Sequence, residues 1–336
     1  MSETYPLRID AYSHIVPQRY RETLEKLSPK DAREKVLGCP PLYDLDHRFR
    51  IMDRYGLIQV IAPAWPAVEE LGDAKVALEL AQMQNDGMAE LVRKYPDRFV
   101  AAIACIPMND MDAALREVDR AINDLRFRGV LVYTPVEDKP LDSPEFMPLY
   151  EKMSQYDLPI LIHPMRDVSY PDYKTLQASK FRLFSMLGWP YETSVAMTHI
   201  VFSGILEKYP NLKLVTHHSG GMIPYNAERI RRFQDVAEMR RGARHMQGLT
   251  KAPIDYYKMF YNDTAIYGNT SGLMCAYDFC GADHLLFACD MPLGDTQYGN
   301  GNYRQTINAI EAMNITEAEK KQIYEDNARK IYRLPI

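Results

Sequence analysis

The chain has 336 residues, 46% hydrophobic and 25% charged, enough apolar material for a sizeable core in one large domain or two modest ones. A formal net charge of −5 offers no long-range attraction for nucleic acid or an anionic bilayer, and no apolar run approaches the roughly 18 residues that span a membrane. Five cysteines, an odd number widely spread along a chain too long to need disulfide staples, fit reduced thiols, and with no basic-then-apolar leader at the start the expected location is the cytoplasm.

In chain order, β-rich runs alternate with longer helical patterns. Strands are expected at Leu7 to His14, Ile58 to Ala64, Phe99 to Ile106, Gly129 to Tyr133, Pro159 to His163, Leu212 to His217, Met259 to Thr264 and Leu285 to Cys289. Helical patterns between and after them include "DAKVALELAQMQNDGMAELVRKY", "DMDAALREVDRAINDL", "SPEFMPLYEKMSQY" and "TINAIEAMN". Eight strands with intervening helices in a chain of this length point to a (β/α)8 TIM barrel. An open doubly wound sheet is the rival, but no Gly-rich dinucleotide fingerprint follows the first strand. No repeat, low-complexity tract or flexible linker divides the chain, so residues 1–336 are read as a single domain. Residues 17 to 50 and 165 to 190 are long for βα connections and are expected as insertions at the C-terminal face, where they shape the active site.

The first strand, "RIDAYSHI", alternates so that Asp10, Tyr12 and His14 are expected to share one face. His14, His163 in "PILIHPM", His218 in "LVTHHSGG" and Asp290 after "LLFAC" all stand at or just beyond strand ends, so in a barrel they crowd the mouth. Imidazole and carboxylate are the usual ligands of catalytic Zn2+ and related ions. Singly, each has a bland reading as a hydrogen-bonded structural histidine or a turn aspartate; their coincidence favours a metal site. His47, His199, His245 and His284 read as structural, and His217 cannot face the same way as its neighbour on an extended chain. Trp65 and Trp189 follow strands on loops, where they either sandwich a planar substrate or pack beneath the insertions.

These residues resemble a known family. "IDAYSHIVP", "RFRIMDRYG", "PILIHP", "FSGILEKYPNLKLVTHHSGGMIPY" and "HLLFACDMPLG", in that order, are similar to the amidohydrolase superfamily in its branch of aminocarboxymuconate-semialdehyde and gamma-resorcylate decarboxylases. The resemblance covers most of the chain. It implies that His14, His163 and Asp290 are metal ligands, that His218 is the catalytic histidine, and that Arg229 in "YNAERIRR" reaches the substrate carboxylate of a neighbouring subunit in a homodimer or homotetramer. An Arg on a helix is also commonly a solvated surface group. Where the family commonly has His-x-His, or Glu-x-His in some decarboxylases, this chain has Tyr12-Ser13-His14. Tyr12 then either ligates as a phenolate, or leaves three protein ligands and hydrogen-bonds water or substrate, or marks a lost metal; the second is preferred, because three ligands with open positions suffice for catalysis.

The function that follows is metal-dependent, non-oxidative decarboxylation of a small aromatic or unsaturated carboxylic acid, with Zn2+ or Mn2+ as cofactor. His218 delivers the proton, and Asp290 ligates and also moves a proton. Hydrolysis of an amide, lactone or carbon-carbon bond, hydration of a double bond, and a metal-poor binding protein are the alternatives.

Overall fold

The computed structural model describes residues 7–241, 248–295 and 297–335. Among these described residues nine parallel strands run in chain order: β1 (Arg8–Ile15), β2 (Leu57–Pro63), β3 (Phe99–Ala102), β4 (Ala104–Cys105), β5 (Val130–Thr134), β6 (Ile160–Pro164), β7 (Leu214–Thr216), β8 (Tyr261–Asp263) and β9 (Leu285–Leu286). They form two ladders, β1-β2-β3 and β4 to β9 in sequence order. Only Ile103 separates β3 from β4: its N–H donates to Ile61 O at 2.9 Å, and the next N–H, of Ala104, donates to Gly129 O at 2.9 Å. One strand thus passes its hydrogen bonds from one neighbour to the other. Across the other seam Ala11 N–H donates to Phe287 O (2.8 Å) and His14 N–H to Met291 O (2.9 Å), tying β1 to the segment after β9. The architecture is the (β/α)8 barrel.

Helices start and stop where local chemistry says they should. Asp44, Asp73 and Asp110 each cap a first turn by accepting backbone N–H groups, and Gly56 ends helix Leu45–Tyr55 in the left-handed conformation. The stretch after β1 folds as helix Gln18–Leu27 and shorter helical turns, whose Tyr20, Leu24, Val36 and Leu42 pack on helix Ala74–Lys94. The second insertion, between β6 and helix Gly188–Phe202, is mostly turns.

The barrel interior is filled by Ile9, Val60, Ile103, Leu131, Leu161, Val215 and Leu286, in one cluster with Ile331 and Tyr332 of the last helix, Asn327–Tyr332. Ile9, Ala11 and Tyr12 all belong to this cluster, which strict alternation forbids. The cause is a register shift between Asp10 and Ser13. It corrects one expectation: Asp10 does not share the face of Tyr12 and His14. Its carboxylate accepts from Tyr303, on helix Asn300–Glu311. Tyr303 in turn accepts from Gln59 (2.6 Å), and Gln59 from the fully buried Arg48 (2.8 Å).

Among the described residues, no helix is long and apolar enough to cross a membrane. All five cysteines are free thiols. His47 lies in the first turn of helix Leu45–Tyr55, His199 pairs with Asp142 on an outer helix, and His284 stacks on Tyr261 just before β9. His245 lies outside the described residues.

Candidate metal centre

Four barrel positions bring nitrogen and oxygen donors to the mouth. His14 and His163 sit on β1 and β6 with ring centroids 5.3 Å apart, and His217, immediately after β7, has its centroid 4.5 Å from that of His163. Each ring is oriented by a backbone carbonyl: His14 Nδ1 donates to Pro63 O (2.6 Å), His163 Nδ1 to Pro164 O (2.8 Å) and His217 Nδ1 to Ile162 O (2.8 Å). A carbonyl only accepts, so Nδ1 carries the hydrogen and Nε2 keeps its lone pair. One donor atom from each of the three histidines lies within 4.8 Å of the others.

Burial, with His14 and the other histidines nearby, pushes His163 down to about 3 and holds His217 well below the ordinary histidine value. Both rings are therefore neutral, as metal ligation requires. Asp290 Oδ1 lies 3.1 Å from His14 Nε2. Burial alone would lift this carboxyl, but the hydrogen bond to His14 and the surrounding imidazoles hold it below the usual carboxylate range. An acceptor nitrogen and a carboxylate oxygen at that separation are reconciled only by a proton or a cation. His217 Nε2, buried and without a hydrogen-bond partner, makes the same demand. The donor set fits a divalent ion.

His218 turns away from its neighbour because the strand ends there. His218 and Ser219 adopt φ of 59° and 53°, followed by Gly220 and Gly221 at 75° and 60°. Such non-glycine strain persists only where something holds it. Asp263, at the end of β8, does so: its carboxylate accepts from His218 N (2.9 Å), Ser219 N (3.0 Å), Ala265 N (2.9 Å) and the Tyr12 hydroxyl (2.6 Å). Gly221 is obligatory for a second reason, since a Cβ there would lie 2.4 Å from Pro190 O. His218 Nδ1 donates to Ala265 O (3.0 Å), and Nε2 has no hydrogen-bond partner among the described residues. Its ring centroid is 6.3 Å from that of Trp189, to which it is nearly parallel, and 6.5 Å from that of Tyr267. Tyr267 also donates to Asp290 Oδ2 at 3.3 Å.

Of the residues singled out from sequence, His14 and His163 belong to the three-histidine donor group, Asp290 adjoins it through His14, and the rings of Tyr12, His218 and Trp189 lie next to it. The Tyr12 ring centroid is 5.6 Å from that of His14, and burial together with Asp263 and Asp290 pushes its phenol well above its ordinary value. Trp65 is partly buried against the barrel-interior cluster that includes Tyr12 and Met165. Arg229 does not join the cluster: it is exposed on helix Ile223–Arg241, its guanidinium 4.6 Å from the Phe233 ring. Sequence reasoning missed His217, Asp263 and Tyr267. Asp263 carried a readable signal, because it ends a strand just as Asp290 follows one.

The amidohydrolase family profile matches residues 10–334. The chain belongs to this family. It is 30% identical over 297 residues to gamma-resorcylate decarboxylase of Polaromonas sp. strain JS666, covering 86% of this chain and 87% of that protein. It is 24% identical over 327 residues to 6-methylsalicylic acid decarboxylase of Penicillium expansum, covering 97% and 96%. Among solved structures, dihydroxybenzoic acid decarboxylase from Polaromonas sp. JS666, with bound manganese and the inhibitor 2-nitroresorcinol, superposes with a TM-score of 0.79 at 26% identity, covering 98% of this chain and 97% of that one. The amidohydrolase match thus runs from within β1 through β9 and takes in every residue of the cluster.

Proposed function

We propose that this protein is a metal-dependent, non-oxidative decarboxylase acting on a small aromatic or unsaturated carboxylic acid. The observation that carries the reading is the proximity of His14 to both His163 and Asp290, beside a histidine, His218, whose Nε2 has no hydrogen-bond partner among the described residues and whose ring is near those of Trp189 and Tyr267. The decarboxylases among its relatives support the same chemistry. In this reading His14, His163 and Asp290 hold a divalent ion, Zn2+ or Mn2+, and residues 1–336 act as one catalytic unit. When bound, the ion would polarise the substrate carboxylate and an adjacent oxygen and stabilise the negative charge that develops.

The chain's own groups supply the rest. As the bond between the substrate carbon and its carboxylate breaks and carbon dioxide leaves, the electron pair stays on carbon, and His218, entering the step with both ring nitrogens protonated, delivers the Nε2 proton there and is reprotonated from water before the next turnover. The Ala265 carbonyl keeps the ring turned for that transfer. Trp189 and Trp65 flank a planar substrate, and Tyr267 holds Asp290 through Oδ2, the oxygen not facing His14. Tyr12 acts through Asp263, which fixes the turn bearing His218. Arg229, exposed on its helix with its guanidinium over Phe233, is assigned to the substrate of a second copy in a homodimer or homotetramer. The exposure of Phe181, Tyr225, Phe233 and Met239 supports such an assembly. Five free thiols support a cytoplasmic location.

The test is a panel of ortho-hydroxybenzoic and unsaturated acids assayed for carbon dioxide release, with product masses taken in 18O-labelled water. Loss of carbon dioxide alone supports the proposal. Label uptake without carbon dioxide would instead assign hydrolysis or hydration, and turnover of none by metal-loaded protein would leave a binding protein.

A further inference from the structure

His217 has no role in the scheme above, yet its environment is the most demanding at the mouth. Its Nδ1 is committed to Ile162 O, its Nε2 is fully buried with no hydrogen-bond partner, and it shares a 4.8 Å donor cluster with His14 and His163. A lone pair left bare in a dry interior is costly unless something occupies it. Position 12 is differently committed. The Tyr12 hydroxyl points its hydrogen at Asp263 Oδ2, and its ring lies 4.1 Å, centroid to centroid, from that of His217. The phenol is thus spent on a carboxylate, and its ring forms one wall against which the His217 imidazole rests.

We propose that His217 is a metal ligand, taking the place that the residue at position 12 does not fill, and that Tyr12 is a positioning residue bracing the His217–His218 turn through Asp263. The proposal rests on the metal-centre reading given under Proposed function and deepens it. It assigns the centre three imidazoles and one carboxylate, from His14, His163, His217 and Asp290. Such a nitrogen-rich set favours Zn2+ or Co2+ over Mn2+, which prefers oxygen donors. One strand end then serves two tasks: His217, directly after β7, faces the ion, and His218, where the left-handed turn begins, faces the substrate.

The experiment uses full-length protein stripped of metal and titrated with Co2+, reading bound metal per chain, affinity and the visible absorption bands. His217→Gln is compared with wild type, His163→Ala and Tyr12→Phe. The expected result is an affinity loss of at least about tenfold for His217→Gln with altered bands, a loss of at least that size for His163→Ala, and a near-normal stoichiometry for Tyr12→Phe. Wild-type affinity and bands in His217→Gln, with His163→Ala impaired, would overturn the assignment of His217 while leaving the metal centre intact. If wild type binds no Co2+, the parent reading fails instead. Should His217→Gln not fold, X-ray absorption on Zn2+-loaded wild type decides by counting imidazoles: three sustain the proposal and two refute it.

Discussion

Replacing Asp263 with Asn keeps the side chain's shape and tests whether its carboxylate holds the catalytic turn. Oδ1 accepts from Ser219 N and Ala265 N, while Oδ2 accepts from His218 N and Tyr12. An amide has one oxygen, and it will face Ser219 and Ala265, because the alternative sets two backbone donors against an NH2 group. In that orientation the Tyr12 hydroxyl can rotate and accept a hydrogen from the amide; the His218 N–H cannot. One charge-assisted hydrogen bond is lost, about 1.5–3 kcal/mol, and one buried N–H is left bare, about 1–3 kcal/mol. Relief from burying a charge offsets part of this, for burial already raises the Asp263 carboxyl. The net expectation is about 2 kcal/mol of stability, with His218 displaced and kcat reduced at least about tenfold. Thermal unfolding and carbon dioxide release measure the two effects. An Asn variant with unchanged melting temperature and unchanged kcat would show that the strained turn holds itself.

Three further outcomes are expected. His218→Ala should lower kcat at least about a hundredfold with bound metal unchanged, so loss of metal in that variant would reassign His218. Chelation should abolish turnover, which Zn2+ or Mn2+ restores, and should lower the unfolding free energy by about 2.7 kcal/mol relative to protein held at a metal concentration a hundred times Kd. Glu69 is a buried carboxyl raised to about 7 by burial and by Glu70 and Glu137, against an ordinary value of 4.5. The folded state keeps its proton while the unfolded chain has lost it, so stability declines as pH rises from about 4.5 to about 7, by about 3 kcal/mol, and stays lower above that. Glu69→Gln should be the more stable protein at pH 8 and not at pH 4.5, and equal gains at both would refute the burial argument.

The barrel was legible because its strands are short apolar runs between helices with their own caps, and the ends of those strands gave His14, His163 and Asp290. What sequence hid was set by backbone events. Alternation puts Asp10 beside Tyr12, but the irregularity between Asp10 and Ser13 sends Asp10 outward to Tyr303 and the Arg48–Gln59 pair. That shift has no sequence signature, since any L-residue can occupy it. The adjacent histidines posed the opposite difficulty. They do face different ways, but not by strand alternation: which one enters the cluster depends on the left-handed φ at His218, and that depends on Asp263, 45 residues later. Arg229 could not be placed from one chain's pattern, because an exposed helical arginine reads alike whether or not a second copy uses it.

The interior of the barrel divides along its axis, and the division explains where the protein tolerates strain. At one end Ile9, Leu161, Val215 and Leu286 meet Ile331 and the Tyr332 ring in a plug of apolar side chains. At the other, His218, Ser219 and Asp290 all hold positive φ, and neutral imidazoles turn their lone pairs inward. Each such residue costs about 1–3 kcal/mol, so a mouth of this kind needs a rigid base to keep its geometry when no ion is bound. The plug and the outer helical layer supply that base. Cavity-forming changes at Ile331 or Leu161 should therefore loosen the mouth at a distance, weakening metal affinity along with stability, whereas equal losses at the outer helices, away from the plug, should lower stability and leave metal affinity in place.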